Sequence, residues 1–348
     1  MAADTPPQPM LARLVRELPE GDYLYEPKWD GFRCLARRDR GAVELHSRHG
    51  RPLARYFPEV VAALGTLSPV RWMLDGELLA VVGGRFDFAA LMGRLHPAVS
   101  RVRALAAETP AIFVAFDAIA IGDEDLRERP FAERRERLVA LMDDAGPPLF
   151  LTPATADSAV AARWLREFRG GGLDGVVAKH RDLRYEAGAR AMLKVKHEQT
   201  ADLVVAGARV SAEPLEVVAL LLGAYDDDGA LQHVGVASSF ARPLPAALAR
   251  ELAPLVVELP GHPWEHGFLL GGGPVGRLKG AAGRWAPGMV MDWVPLAPER
   301  VAEVRYTQVD GRRLRHPARF VRWLPDREPA SCRADQLDVE ARAADEVL

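Results

Sequence analysis

The stretch YEPKWDGFRCLARRDR, residues Tyr25–Arg40, reads as a strand, a tight turn and a second strand. Aromatic and apolar residues alternate with polar ones up to Trp29, Asp30-Gly31 supplies the turn, and RCLARR resumes the alternation. On the first strand Glu26, Lys28 and Asp30 share one face, with Pro27 and Trp29 on the other. Gly31 permits the turn and Arg33 follows it. A lysine in such a strand costs stability unless something uses it. To attack phosphorus it must be neutral, whereas an unperturbed lysine, with a pKa of about 10.4, is protonated at neutral pH. Burial and neighbouring cations lower that value, so the arginine-rich surroundings suit an activated nucleophile. A surface salt bridge on an edge strand is the alternative, and the stretch alone leaves both open.

Outward from this hairpin, the first two hundred residues repeat the pattern. AVELHS, RWMLDGELLAVV, AIFVAFDAIAI and DGVVAKH read as strands, and PEVVAALGTL, FAERRERLVALM and AVAARWLREFRGG as helices. This predicts an α+β domain on mostly antiparallel sheets over residues 1–199. Beyond it, ADLVVAGARV, EVVALLLGAYD, LQHVGVAS and MVMDWVPL are short strands, with LPAALARELAPLV as an inserted helix. That texture predicts a small β-barrel of the OB-fold kind over 200–327, followed by an acidic tail over 328–348.

A chain of 348 residues fits two domains, and 49% hydrophobic with 27% charged residues is a globular composition. No apolar run approaches the ~18 residues of a membrane span, and MAADTPPQPM lacks a leader pattern, so a cytoplasmic protein is expected. Cys34 and Cys332 read as reduced thiols, too few for a disulfide framework or a zinc cluster. The net charge of −3 conceals two basic patches. Seven arginines between Arg33 and Arg55 face only Asp39 and Glu44, and six between Arg312 and Arg327 face only Asp326. Each alone reads as a solvated charge run; together they suit a clamp on an anionic polymer.

Four further features bear on Lys28. Asp75 and Glu77 share one face of an apolar strand, where buried carboxylates need a ribose, metal or cation, unless Glu77 is solvated in a hairpin. Val114 and Phe116 lie on one face and Asp117 on the other; an open ring could stack on a base, and a core ring is the bland alternative. Asp174, at the mouth of a strand, is either an oxygen ligand for Mg²⁺ or part of a plain Asp-Gly turn. Lys194 and Lys196 sit side by side with Leu193 and Val195 behind, and two such ammoniums repel unless an anion lies between them.

KWDGFR at 28–33 resembles the Lys-x-Asp-Gly-x-Arg motif of the covalent nucleotidyltransferases. HSRHG, LDGEL, AFD, DGVVAK, LKVKHEQTAD and RHPARFVRWLPDR then follow in the order found in ATP-dependent DNA ligases. The likeness runs from Pro19 to Arg327 and is closest to the short bacterial form with an adenylation and an OB domain, tied to DNA repair. It implies that Lys28 attacks the α-phosphate of ATP and carries AMP, with Asp30 and Arg33 completing the catalytic motif. Glu26 is implied to read adenine through its backbone, and Arg33 and Arg48 to contact the nucleotide and the nick phosphate. Glu77 would hold the ribose, Phe116 stack on adenine, and Lys194 and Lys196 grip the α-phosphate. Asp174, with Glu77, would bind Mg²⁺ or Mn²⁺, and Arg319, Arg322, Asp326 and Arg327 would contact pyrophosphate and DNA. The implied partner is nicked double-stranded DNA, with repair polymerases or primases alongside; a monomer and no membrane association are expected.

Two departures bear on rate. The metal position, commonly Glu, is Asp174, shorter by one methylene, and a bridging water could restore the reach. The terminal motif, commonly Arg-x-Asp-Lys, reads Leu324-Pro325-Asp326-Arg327. Leu324 cannot grip pyrophosphate, so a slower first step is expected, with Arg322 or Arg319 substituting. An RNA ligase or capping-type guanylyltransferase would use the same chemistry. A non-catalytic nucleic-acid-binding protein would not need Lys28, Lys194 and Lys196 together.

Overall fold

The computed structural model describes residues 7–39, 41–168, 173–211, 215–240, 244–265, 268–269, 274–275, 293–338, 343–346 and 348. Its contacts divide the chain into two units, Met1–His197 with Glu340–Leu348, and Glu198–Val339.

The first unit faces one sheet with another. Sheet one has the order β1-β9-β8-β2, from β1 (Ala12–Leu14), β2 (Tyr23–Trp29), β8 (Leu173–His180) and β9 (Met192–Lys196). Sheet two has β4-β3-β5-β6 as its main run, from β3 (Phe32–Asp39), β4 (Val43–Ser47), β5 (Arg71–Val82) and β6 (Ala111–Ile121), with β7 (Leu149–Leu151) parallel to β6. Period-2 alternation sorts their side chains. Cys34, Ala36, Trp72, Leu74, Phe113 and Ala115 point to the outer core beneath α1 (Pro58–Leu64) and α4 (Phe131–Met142). Leu35, Met73 and Ile119 point inward, where they meet Met192 and Val177 of sheet one. The outer face of sheet one, with Tyr25, Val176 and Ala178, is covered by α5 (Ser158–Glu167), whose N-terminus is capped by Asp157 accepting from the Ala159 N–H. Two short helices not evident in the sequence, α2 (Phe88–Gly93) and α3 (Val99–Glu108), lie between β5 and β6.

The second unit is a closed barrel of order β10-β11-β12-β14-β13, from β10 (Gln199–Ser211), β11 (Glu216–Tyr225), β12 (Leu231–Ser239), β13 (Val294–Tyr306) and β14 (Ala318–Trp323). β12 and β14 run parallel and the other neighbours antiparallel, and α6 (Leu244–Leu252) follows β12, as expected of an OB-fold. Of the strand expected over 289–296, residues 289–292 lie outside the described residues, and the described strand continues to Tyr306. Its register with β10 jumps between Val205–Arg300 and Gly207–Pro295. The intervening bulge accommodates Pro298, which masks the strand in the sequence.

The expected acidic tail is not one piece. Ala334 and Leu337 are buried in the barrel core, whereas Ala344 is buried on the first unit and donates its N–H to Gly84 O at 2.7 Å. Apolar side chains spaced among the acids cause this: each finds a core to enter. Among the described residues, no helix is long and apolar enough to cross a membrane.

Candidate active site

Lys28, near the end of β2, pairs in register with Gly175 of β8, which in turn pairs with Lys196 of β9. Three strands therefore bring Lys28, Asp174 and Lys196 together. Asp174 Oδ2 lies 2.6 Å from Lys28 Nζ and 2.8 Å from Lys196 Nζ. Burial pushes the Asp174 carboxyl up, but Lys28 and Lys196 more than offset this and hold it below its ordinary range. Its other oxygen, Oδ1, is buried without a hydrogen-bond partner.

Asp174 owes its direction to a β-bulge. β8 pairs Leu173 with Trp29 and Gly175 with Lys28, so Asp174 is the extra residue. Gly175 has φ +140°, and a Cβ there would stand 2.0 Å from Val195 O. Only glycine fits so close an approach. Gly31 is constrained likewise: an added Cβ would meet Leu78 O at 2.1 Å, because the β2–β3 turn lies against β5.

Lys194, two residues before Lys196 on β9, has its ammonium pushed below the ordinary lysine range by burial and by Lys28 and Lys196. Arg48, exposed in the turn after β4, is close enough to add to this effect. The expected repulsion between cations is present, and the anion between Lys28 and Lys196 is Asp174.

Sheet two supplies the opposite wall. The fully buried Asp75 binds Arg33 in a bidentate pair, Nε to Oδ1 at 2.5 Å and Nη2 to Oδ2 at 2.6 Å. Burial works against the Arg33 charge, but Asp75 more than restores it, holding the guanidinium above its ordinary range. Glu77, two residues on, accepts from the Gly31 N–H at 3.2 Å. Its carboxyl is pushed up to about 7 by burial, against the pull of Arg33 and Lys28; Asp30 raises it further. Asp75 and Glu77 thus separate into a cation anchor and an acid poised between charge states.

Of the two readings of Phe116, an open ring or a core ring, the structure shows a buried one. β6 pairs Ala115 with Gly76 and Asp117 with Asp75, which leaves Phe116 as a bulge residue. Its ring is buried, with Arg33 Cζ 4.5 Å and Lys179 Nζ 4.9 Å from the centroid.

Lys179, the last residue of DGVVAK, has partners that the sequence alone does not indicate. It is 1% exposed, and its Nζ lies 2.8 Å from Glu26 Oε2, 2.8 Å from Phe116 O and 4.0 Å from Asp117 Oδ2. Arg134 binds Asp117 in two bonds of 2.7 and 2.9 Å, and Arg135 Nη1 stands 3.7 Å from Glu26 Oε1. The Glu26 side chain therefore belongs to a buried ion cluster under the pocket wall. Burial raises its pKa, and Lys179 and Arg135 oppose the rise. The signal available in the sequence was Lys179 itself, a lysine on an otherwise apolar strand.

Arg319, Arg322, Asp326 and Arg327 lie in the barrel unit, exposed on and just beyond β14. Arg322 Nε donates to Glu303 at 2.7 Å and Arg327 Nε stands 3.6 Å from Asp202. Leu324 is half-buried against the cluster containing Val204, Trp264 and Val301, and its N–H donates to Val301 O at 2.9 Å. Position 324 is a packing position in this structure, where the leucine fills the edge of a barrel cluster. Cys34 and Cys332 are free and buried, and burial raises both thiols.

A family model for the ATP-dependent DNA ligase domain matches residues 8–196, and one for the ATP-dependent DNA ligase C-terminal region matches 215–327. The chain belongs to the ATP-dependent DNA ligase family. It is 50% identical over 335 residues to DNA ligase C2 of Mycolicibacterium smegmatis, covering 96% of this chain and 94% of that one. To DNA ligase C of Mycobacterium tuberculosis it is 48% identical over 338 residues, with the same coverage. A solved structure described as a Lig E DNA ligase with a minimal DNA-binding scaffold matches the fold at TM-score 0.53, 16% identity, over 90% of this chain and 99% of that one. This DNA ligase is thus an α+β nucleotidyltransferase unit joined to an OB-fold barrel.

Proposed function

We propose that this ligase seals 5′-phosphate/3′-hydroxyl nicks in duplex DNA through AMP carried on Lys28, in the manner that DNA repair requires. The observation that carries the reading is the Lys28–Asp174–Lys196 group, an amine held by a buried carboxylate beside two further lysines. Lys28 Nζ attacks the α-phosphate of ATP and pyrophosphate departs; the amine proton has Asp174 Oδ2 within reach as its acceptor. Lys194 and Lys196 then face the α-phosphate oxygens, exchanging repulsion among themselves for attraction to the substrate. Glu77 takes the ribose hydroxyls. AMP passes from Lys28 to the 5′-phosphate of the nick, and the 3′-hydroxyl displaces it.

The residues present suit a divalent cation. Asp174 Oδ1 is a buried acceptor in need of a partner. Mg²⁺ is held by one or two carboxylates together with substrate phosphates and water, so Asp174 and Glu77 need no further protein ligand. Among the described residues no larger cluster of Asp, Glu, His and Cys forms a metal cage. When bound, Mg²⁺ or Mn²⁺ would offset phosphate charge. The arginines of both units supply backbone contacts to DNA, which makes binding salt-sensitive.

Intact protein mixed with ATP and Mg²⁺ should gain the mass of one AMP on Lys28 and pass it to nicked DNA. A Lys28→Ala variant that still seals nicks refutes the mechanism. Transfer to a nicked RNA duplex in preference to DNA refutes the substrate.

A further inference from the structure

Between β8 and β9 lies Tyr185, which is outside every motif described above. It is 4% exposed and packed among Met10, Leu35, Met73, Ile119 and Met192. Its hydroxyl donates to Asp75 Oδ2 at 2.6 Å and accepts the Met10 N–H at 3.2 Å. Arg33 Nη2 donates both to Asp75 Oδ2 at 2.6 Å and to Met10 O at 3.2 Å. The bonds close into a ring: Met10 N–H to Tyr185, Tyr185 to Asp75, Arg33 to Asp75, and Arg33 back to the Met10 carbonyl. Burial, with Asp75 alongside, holds the phenol well above its ordinary range, so it remains a donor.

The consequence falls on one atom. Nε and both protons of Nη2 are committed within the ring. Among the described residues Arg33 Nη1 has no hydrogen-bond partner, and the guanidinium lies over the Phe116 ring. A planar guanidinium fixed along one edge and one face has its remaining edge fixed as well. We propose that Tyr185 is a positioning residue of the ligase, fixing Asp75 so that Arg33 Nη1 is aimed at a substrate phosphate. This rests on the reading of the Lys28 cleft as the nucleotidyl-transfer site. Without the hydroxyl, Asp75 Oδ2 loses a donor and the Met10 N–H its acceptor, so the carboxylate can rotate and carry Arg33 with it.

Tyr185→Phe keeps the ring packing and removes only the hydroxyl. The test compares wild type, Tyr185→Phe, Arg33→Lys and the double variant, as full chains. Single-turnover rates are read at saturating substrate for two steps, AMP loading on Lys28 and sealing of pre-adenylylated nicked DNA. Tyr185→Phe should slow the step that Arg33→Lys slows, by about tenfold. Saturating substrate should not restore that rate. In the Arg33→Lys background the same change should cost little more, because a lysine cannot use the bidentate anchor. A purely structural tyrosine would give equal losses in both backgrounds, and that result overturns the assignment, as does wild-type speed of Tyr185→Phe in both steps. Absence of AMP on Lys28 in the wild type overturns the site reading and this assignment together. Normal loading with an unimpaired Tyr185→Phe overturns this assignment alone.

Discussion

Replacing Lys179 by methionine tests whether the buried ion cluster, and not apolar packing, fixes the pocket wall. The substitution roughly conserves volume but removes the ammonium from between Glu26 Oε2 and the Phe116 carbonyl, each 2.8 Å away. Asp117 keeps its two bonds to Arg134, so the uncompensated groups are the Glu26 carboxylate and one carbonyl. Breaking a buried pair from one side costs about 3–5 kcal/mol. Arg135, 3.7 Å from Glu26 and without a hydrogen bond from Nη1, covers part of the charge. We therefore expect the low end, about 3 kcal/mol.

The sign with pH follows from Glu26. Its carboxyl is already raised by burial, and loss of Lys179 raises it further. A carboxyl whose folded pKa exceeds its unfolded value contributes stability that is fully present at low pH and is lost as pH rises through the folded value. The cost of Lys179→Met is thus larger at the higher of two pH values and shrinks at the lower one, as Glu26 protonates. Urea unfolding at both pH values gives the difference from wild type. Adding Glu26→Gln to Lys179→Met should return about 2 kcal/mol, since the amide needs no counter-charge. A Lys179→Met cost below about 1 kcal/mol at the higher pH, or one undiminished in the Glu26→Gln background, refutes the argument.

Other changes separate packing from chemistry. Leu324→Arg should lower the melting temperature of the barrel, at a cost of about 2 kcal/mol for forcing a charge against Trp264 and Val301, without speeding AMP loading at subsaturating ATP; faster loading would return position 324 to a phosphate role. Gly175→Ala, with its Cβ 2.0 Å from Val195 O, should abolish AMP loading and lower thermal stability by several kcal/mol, roughly the scale of a forced backbone clash. A stable, active variant would mean that the bulge does not aim Asp174. Asp174→Asn leaves Lys28 and Lys196 without their shared anion, so AMP loading should fall by about a hundredfold or more while DNA binding holds. Unchanged loading, measured by mass, would remove Asp174 from the site.

Alternation made much of this legible in advance. Lys28, Glu77, Lys194 and Lys196 lie on the walls where a period of two places them, and Leu193 and Val195 lie behind. What alternation cannot register is an extra residue. Counted strictly, Asp174 belongs with Val176 and Ala178, which point out towards α5, and only the bulge turns it to Lys28. Phe116 is a second bulge residue, and its ring ends beneath Arg33 and beside Lys179. The partners of Arg33 escaped for a different reason. Met10, Asp75 and Tyr185 converge from segments up to 175 residues apart, and no local pattern encodes that meeting. The same physics separates the two groups. Lys28, Glu77, Lys194 and Lys196 sit on regular strand faces and can be read by counting, whereas Asp174, Phe116 and the anchor of Arg33 depend on bulges and long-range bonds. The substitutions most informative about this ligase are therefore at Tyr185, Lys179 and Gly175, positions where a change alters the bonds and the bulge that orient Asp75, Glu26 and Asp174.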